Sequence, residues 1–128
     1  MPEKIVVIPV AGAKPLAPYS PGIQYGELLF TAGQIGLDPA SGKLVEGGVG
    51  PETRQALKNL GAILEAGGSA FASLLKVTIF LVDISDYGAV NEIYAEFVGE
   101  QPPARSAIQV AALPAGARVE IEAVAAVE

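Results

Sequence analysis

Residues 74–84 read LLKVTIFLVDI, the strongest strand-forming run in the chain. Val77, Ile79 and Leu81 alternate with Thr78, Phe80 and Val82, so both faces of the strand are largely apolar. Successive side chains on a strand point to opposite faces, and a strand that is apolar on both is buried on both sides. The flanking segments read as helices. Glu52–Ala66 carries Leu57, Leu60, Ile63 and Leu64 on one face, with Pro51 suited to the first turn and Gly67-Gly68 as the stop. Beyond the strand, Ser85 or Asp86 is expected to cap a helix running to about Val98. Val90, Ile93, Tyr94 and Phe97 form its buried stripe and Gly99 ends it.

Further out lie shorter strands. Ile5–Ile8 is one, ended by Pro9. Gly12–Gly22 holds Pro15, Pro18 and Pro21 around Tyr19 and reads as a stiff loop. Ile23–Tyr25 and Leu28–Thr31 form a hairpin turning at Gly26-Glu27. In Ala32-Gly33-Gln34-Ile35-Gly36 the two glycines allow a close backbone approach, although a bend at a strand end accounts for them equally well. Ala104–Val110 and Arg118–Val127 are the last two strands, separated by a turn over Leu113–Gly116. The order βββαβαββ predicts an α+β fold, a mixed sheet with two helices packed on one face. One layer of helices covers one side only. The two-sided apolar strand therefore implies that the chain self-associates through the open face.

Composition points the same way. The 128 residues suit one domain, 1–128, with no repeat or linker. Only 17% are charged, against a typical ~25%, as expected if part of the surface is covered by another copy. The net charge is −6, and the eight basic residues never cluster, which argues against a nucleic-acid partner. No apolar run approaches the ~18 residues of a membrane span. Residues 1–14 imitate a signal peptide, but Glu3 and Pro9 spoil the pattern, and a cytoplasmic setting is expected. The absence of cysteine and histidine removes thiol nucleophiles, Ser-His triads and the usual zinc ligands. Any catalysis must rest on carboxylates, Tyr, Lys, Arg, backbone groups and water.

The segment richest in such groups is residues 102–123, PPARSAIQVAALPAGARVEIEA. Arg105 lies on an apolar strand and shares a face with Ala107 and Gln109. Glu120 and Glu122 share a face of the last strand, with Val119, Ile121 and Ala123 opposite, toward a core. Pairing of these two strands would bring a cation to two carboxylates, either as a site for a small anion or as a cross-strand ion pair with no further role.

The segments AGQIG, TRQALKNLGAILEAGG, KVTIFLVDISDYGAVNEIYAEFVG, PPARSAIQVAALP and VEIEAVA resemble the Rid (YjgF) family of reactive-intermediate deaminases, in order and over about Ile5 to Val127. The resemblance implies a chorismate-mutase-like fold and a homotrimer joined through the open sheet faces, with sites between subunits. It further implies cofactor-free hydrolysis of 2-aminoacrylate, 2-aminocrotonate and related enamines and imines to 2-keto acids and ammonia. By the resemblance, Arg105 binds the substrate carboxylate, for which its planar fork is suited. Glu120 positions or activates water, Tyr19 lines the cleft, Gly33 and Ala107 contact the ligand through their backbones, and Asn91 is a nearby polar residue. Glu122 is a bystander.

Three positions depart from the family pattern. Ala107 stands where cysteine is common, Ala32 where serine is common, and Gly36 where proline is frequent, which should loosen that loop. The alternative functions are a non-catalytic sensor that binds small carboxylates and, behind it, a ribonuclease or chaperone. Whether burial raises the pKa of Glu120 or Arg105 lowers it is open at this level.

Overall fold

The strands and helices follow in the expected order: β1 (Ile5–Val7), β2 (Gly22–Tyr25), β3 (Leu28–Thr31), α1 (Val49–Ala66), β4 (Leu74–Leu81), α2 (Tyr87–Val98), β5 (Ala104–Gln109) and β6 (Val119–Ala126). The structure is a computed structural model that describes residues 1–10, 15 and 17–128. Residues 11–14 and 16, within the leader-like stretch and the expected Pro-rich loop, lie outside the described residues.

The six strands form one sheet in the order β1-β2-β3-β6-β4-β5. Only β4 and β5 run parallel, joined by α2 as a crossover; the other pairs are antiparallel. The suggested pairing of the last two strands is therefore wrong, because β4 lies between β5 and β6. A parallel β4–β5 pair needs a crossover connection, and α2 provides it. β6 then closes on the free side of β4, with Phe80 opposite Glu120 and Thr78 opposite Glu122.

Both helices pack on one face. Leu57, Leu60, Ile63 and Leu64 of α1 and Val90 and Tyr94 of α2 meet Val77, Ile79 and Leu81 of β4 and Val119 and Ile121 of β6 in one core. Each of the four α1 side chains is at most 1% exposed, which stabilises the fold by roughly 1.5–3 kcal/mol apiece. The opposite face carries the alternate residues. Val6, Tyr25, Leu28, Phe30 and Ile108 are exposed on it and Phe80 is half-buried. This is the open apolar face that the two-sided strand required.

Helix α1 begins three residues before the expected Glu52. Gly48, at φ 91°, turns the chain into Val49, and Pro51 falls in the first turn, where an amide hydrogen has no intrahelical partner. At α2 the expected cap is replaced. Neither Ser85 nor Asp86 caps the helix with its side chain. Instead the Asp83 carboxylate accepts from the Ser85 amide at 2.9 Å and the Ser85 hydroxyl at 2.7 Å, organising a short 3-10 turn. Asp86 then enters α2 with near-helical dihedrals (φ −79°, ψ −3°), whereas a capping side chain needs an extended backbone.

Gly36 does not loosen its loop. A Cβ there would lie 2.8 Å from the Glu52 backbone, so the glycine lets this segment pack directly on α1. Asn59 holds the same segment, its amide donating to the carbonyls of Ile35 (3.2 Å) and Leu37 (2.9 Å). Because backbone on both sides must shift to admit a methyl group, Gly36→Ala should cost about 1–3 kcal/mol, measured by urea denaturation. A flexible loop would show no loss.

Candidate functional site

Glu120 faces away from the helices, and its surroundings are made by an irregularity beside it. β3 and β6 pair up to Phe30–Val124, and Gln34 bridges Ile121 farther on. Three residues, Thr31–Gly33, thus span the interval that Glu122 and Ala123 span on β6. The extra residue bows Ala32 and Gly33 away from β6, as a bulge does. The Thr31 hydroxyl takes up the Ala123 amide at 3.0 Å in place of a ladder bond. Gly33 is thereby laid against the Glu120 carboxylate, and a Cβ at Gly33 would fall 2.6 Å from its Oε2. The close approach expected of Gly33 is to Glu120.

Tyr19, Ala32, Gly33, Gln34, Pro114 and Glu120 line a cavity of about 330 Å³ with largely apolar walls. Burial pushes the Glu120 carboxyl above its ordinary range, and the neighbouring charge of Glu122 pushes it further in the same direction. Arg105 does not reach it within the chain, so burial prevails. Glu122 is thus more than a bystander: it raises the affinity of Glu120 for a proton.

Arg105 lies on the other side of the sheet. It is opposite Val77 in the β4–β5 register and so points toward α2. Nη1 donates to Asn91 Oδ1 at 2.8 Å and Nη2 to the Tyr87 hydroxyl at 2.9 Å. The guanidinium also sits 5.0 Å from the Tyr94 ring centroid. Asn91, Tyr94, Val98, Pro102, Pro103 and Arg105 line a second cavity of about 390 Å³. Within it the buried Tyr94 hydroxyl has no hydrogen-bond partner among the described residues, and burial raises its pKa against the opposing charge of Arg105. Ala107 shares the Arg105 face and packs against the core.

The anticipated residues therefore form two groups. Tyr19, Gly33 and Glu120 come together, as do Arg105, Asn91 and, one turn of strand further along, Ala107. The groups do not meet. Arg105 and Glu120 are two strand spacings apart across the sheet and three residues apart along it, about 14 Å in all, and project from opposite faces. Nor do they form the ion pair that strand pairing suggested; among the described residues the ion pair is Arg54–Glu96 at 3.0 Å. Tyr87 and Tyr94 escaped the sequence reading as partners of Arg105. Their spacing with Asn91, i, i+4 and i+7 on α2, held the signal.

The family model described as Endoribonuclease L-PSP matches residues 11–127. A protein of the conserved Rid family, YyfA from Yersinia pestis, superposes with a TM-score of 0.94 at 40% identity, over 98% of this chain and 100% of its own. The chain belongs to the Rid (YjgF) family. Within that family, a Mus musculus protein named 2-iminobutanoate/2-iminopropanoate deaminase is 54% identical over 110 residues, covering 86% of this chain and 82% of its own. The RutC family protein PH0854 of Pyrococcus horikoshii is 46% identical over 95% of this chain and 97% of its own. E. coli TdcF with bound serine superposes with a TM-score of 0.90 at 32% identity, over 98% of this chain and 100% of its own.

The electrostatics of Glu120 can be tested directly. By carbon-detected NMR titration its carboxyl should titrate above the ordinary glutamate range, and Glu122→Gln should lower the midpoint without restoring it fully, since burial is the larger cause. A carboxyl pKa raised by folding stabilises the folded state below the unfolded pKa, and that contribution is lost as pH rises through the folded pKa. Glu120→Gln should therefore melt above wild type at pH 8 and level with it near pH 4.

Proposed function

We propose that the protein hydrolyses 2-imino and enamine acids such as 2-aminoacrylate and 2-aminocrotonate to 2-keto acids and ammonia, as a homotrimer whose sites close between subunits. The observation that carries this reading is the division of the chemistry between the two sheet faces. One face offers a cation with no carboxylate partner among the described residues, the other a half-buried carboxylate with a raised proton affinity. Each group is half of a site, and a second copy supplies the other half. The exposed apolar residues of the open face support the same association, and the deaminase names of the relatives identify the reaction.

In the assembled cleft, Arg105 of one subunit binds the substrate carboxylate through paired charge-assisted hydrogen bonds. Backbone groups at Gly33 and Ala107 orient the imine, and Tyr19 and Asn91 border it. Glu120 of the neighbouring subunit takes a proton from a water as the water oxygen bonds to the imine carbon. The same carboxyl returns that proton to nitrogen to complete the carbinolamine. It then moves the hydroxyl proton to nitrogen as the C=O bond forms and the C–N bond breaks, releasing ammonia and the keto acid. Positioning and one proton-transfer group suffice for a substrate that water attacks unaided. Burial within its own chain raises the pKa of Glu120 toward the working range of a general base, and Arg105 of the neighbouring subunit pulls it back. The residues described supply this chemistry without a cofactor.

The bound serine of E. coli TdcF favours a second reading, a sensor that holds small carboxylates without turnover, with Ala32 and Ala107 as its adaptations. The family description's endoribonuclease activity sits poorly with a net charge of −6 and dispersed basic residues. The proposed setting is the cytoplasm. No helix among the described residues is long and apolar enough to cross a membrane.

A coupled assay with a serine or threonine dehydratase should show accelerated keto-acid release, with kcat/KM lowered by about 100-fold or more in Arg105→Ala. Near-normal turnover by that variant would remove the anchor. In Glu120→Gln, a near-complete loss identifies proton transfer, and retention of much activity identifies water positioning alone. Refolding Arg105→Ala and Glu120→Gln chains together should restore about a quarter of the wild-type rate, because one interface in four then unites an intact Arg105 with an intact Glu120. Recovery at the level of the separate variants would place both residues of each site in one subunit.

A further inference from the structure

Arg105 is held entirely by neutral groups. Its two hydrogen bonds go to an amide oxygen, Asn91 Oδ1, and a phenol oxygen, Tyr87 Oη. Its guanidinium carbon lies 5.3 Å from the Tyr87 ring centroid and 5.0 Å from that of Tyr94. Tyr87, Asn91 and Tyr94 recur at helical spacing, so one stripe of α2 forms the whole cradle. A guanidinium has five N–H donors, and two are used here, which leaves three for an anion. A carboxylate in either supporting position would fix the arginine equally well but would cancel its charge. An unsupported arginine would keep the charge but would have to be ordered when the anion binds, at a cost in rotamer entropy.

We propose that Tyr87 is a positioning residue for the carboxylate anchor: with Asn91 it sets the direction of the Arg105 fork before substrate arrives while leaving its charge uncompensated. The inference rests on the anchor role of Arg105 proposed above and adds to it a residue that lies outside the cavity itself. Tyr87 is 43% exposed and its hydroxyl accepts from Arg105 Nη2 at 2.9 Å, so that hydroxyl serves Arg105 rather than the packing.

The test uses the intact protein, calorimetric titration with 2-oxobutyrate as an unreactive probe, and steady-state kinetics. Tyr87→Phe keeps the ring against the guanidinium and deletes only the hydroxyl. It should weaken 2-oxobutyrate binding about five- to tenfold and raise KM in parallel, with kcat within about twofold and an unchanged melting temperature. Asn91→Asp places a charge in the cradle and should weaken binding about 100-fold, with the loss smaller at high salt. If both variants bind as wild type while Arg105→Ala loses binding, the cradle is overturned and the anchor stands. A fall in kcat at unchanged KM in Tyr87→Phe also overturns it. If Arg105→Ala binds as tightly as wild type, both the cradle and the anchor fall.

Discussion

β4 runs between β5 and β6 and has a helical layer on one face only. This arrangement governs most of the molecule. Its parallel partner β5 sets Arg105 in line with Val77, and its antiparallel partner β6 sets Glu120 in line with Phe80. Val77 lies under the helices and Phe80 on the open face, so strand alternation alone sends the cation and the carboxylate in opposite directions. No side-chain rotation can reverse that. The same one-sided cover leaves Leu28, Phe30 and Ile108 exposed, a patch that favours association. The division of the chemistry and the exposed apolar face thus have one cause.

Each of the two groups is then adjusted locally. On the open side, an extra residue before Gln34 presses Gly33 against Glu120 and helps to shield it from water, while Glu122 adds like charge. These effects favour the protonated carboxyl and make Glu120 costly to keep ionised, as is common at sites of proton transfer. Asn59 and Gly36 fasten the segment that follows the bulge, residues 35–37, to α1. On the helix side, α2 supplies neutral oxygens and aromatic faces to Arg105. The two groups are built on opposite electrostatic principles: one crowds a negative charge, the other protects a positive one.

The parts of the fold that depend on neighbours in sequence were legible. The hairpin at Gly26-Glu27, the apolar face of α1 and the strand–turn–strand over β5 and β6 follow from turn residues and periodicity, which act over a few residues. The errors arose where distant segments decide the outcome. The Asp86 cap gives way to an Asp83 turn because the entry into α2 is helical rather than extended. Gly36, which reads as a source of freedom, is a point of contact with a helix sixteen positions on, at Glu52. Tyr87 passed unnoticed because its partner is on a strand eighteen residues away.

The sequence by itself determined the chain's element order, its one-sided helical cover and its inventory of reactive groups: carboxylates, tyrosines and arginines with no histidine or cysteine. Its motifs also marked Arg105 and Glu120 as the residues to watch. Only the tertiary structure decided their relation. Strand neighbours in a sheet are chosen by long-range pairing and by the handedness of crossovers, which local pattern does not encode. That choice inserted β4 between β5 and β6 and turned an apparent ion pair into two separate groups that project from opposite faces of one sheet.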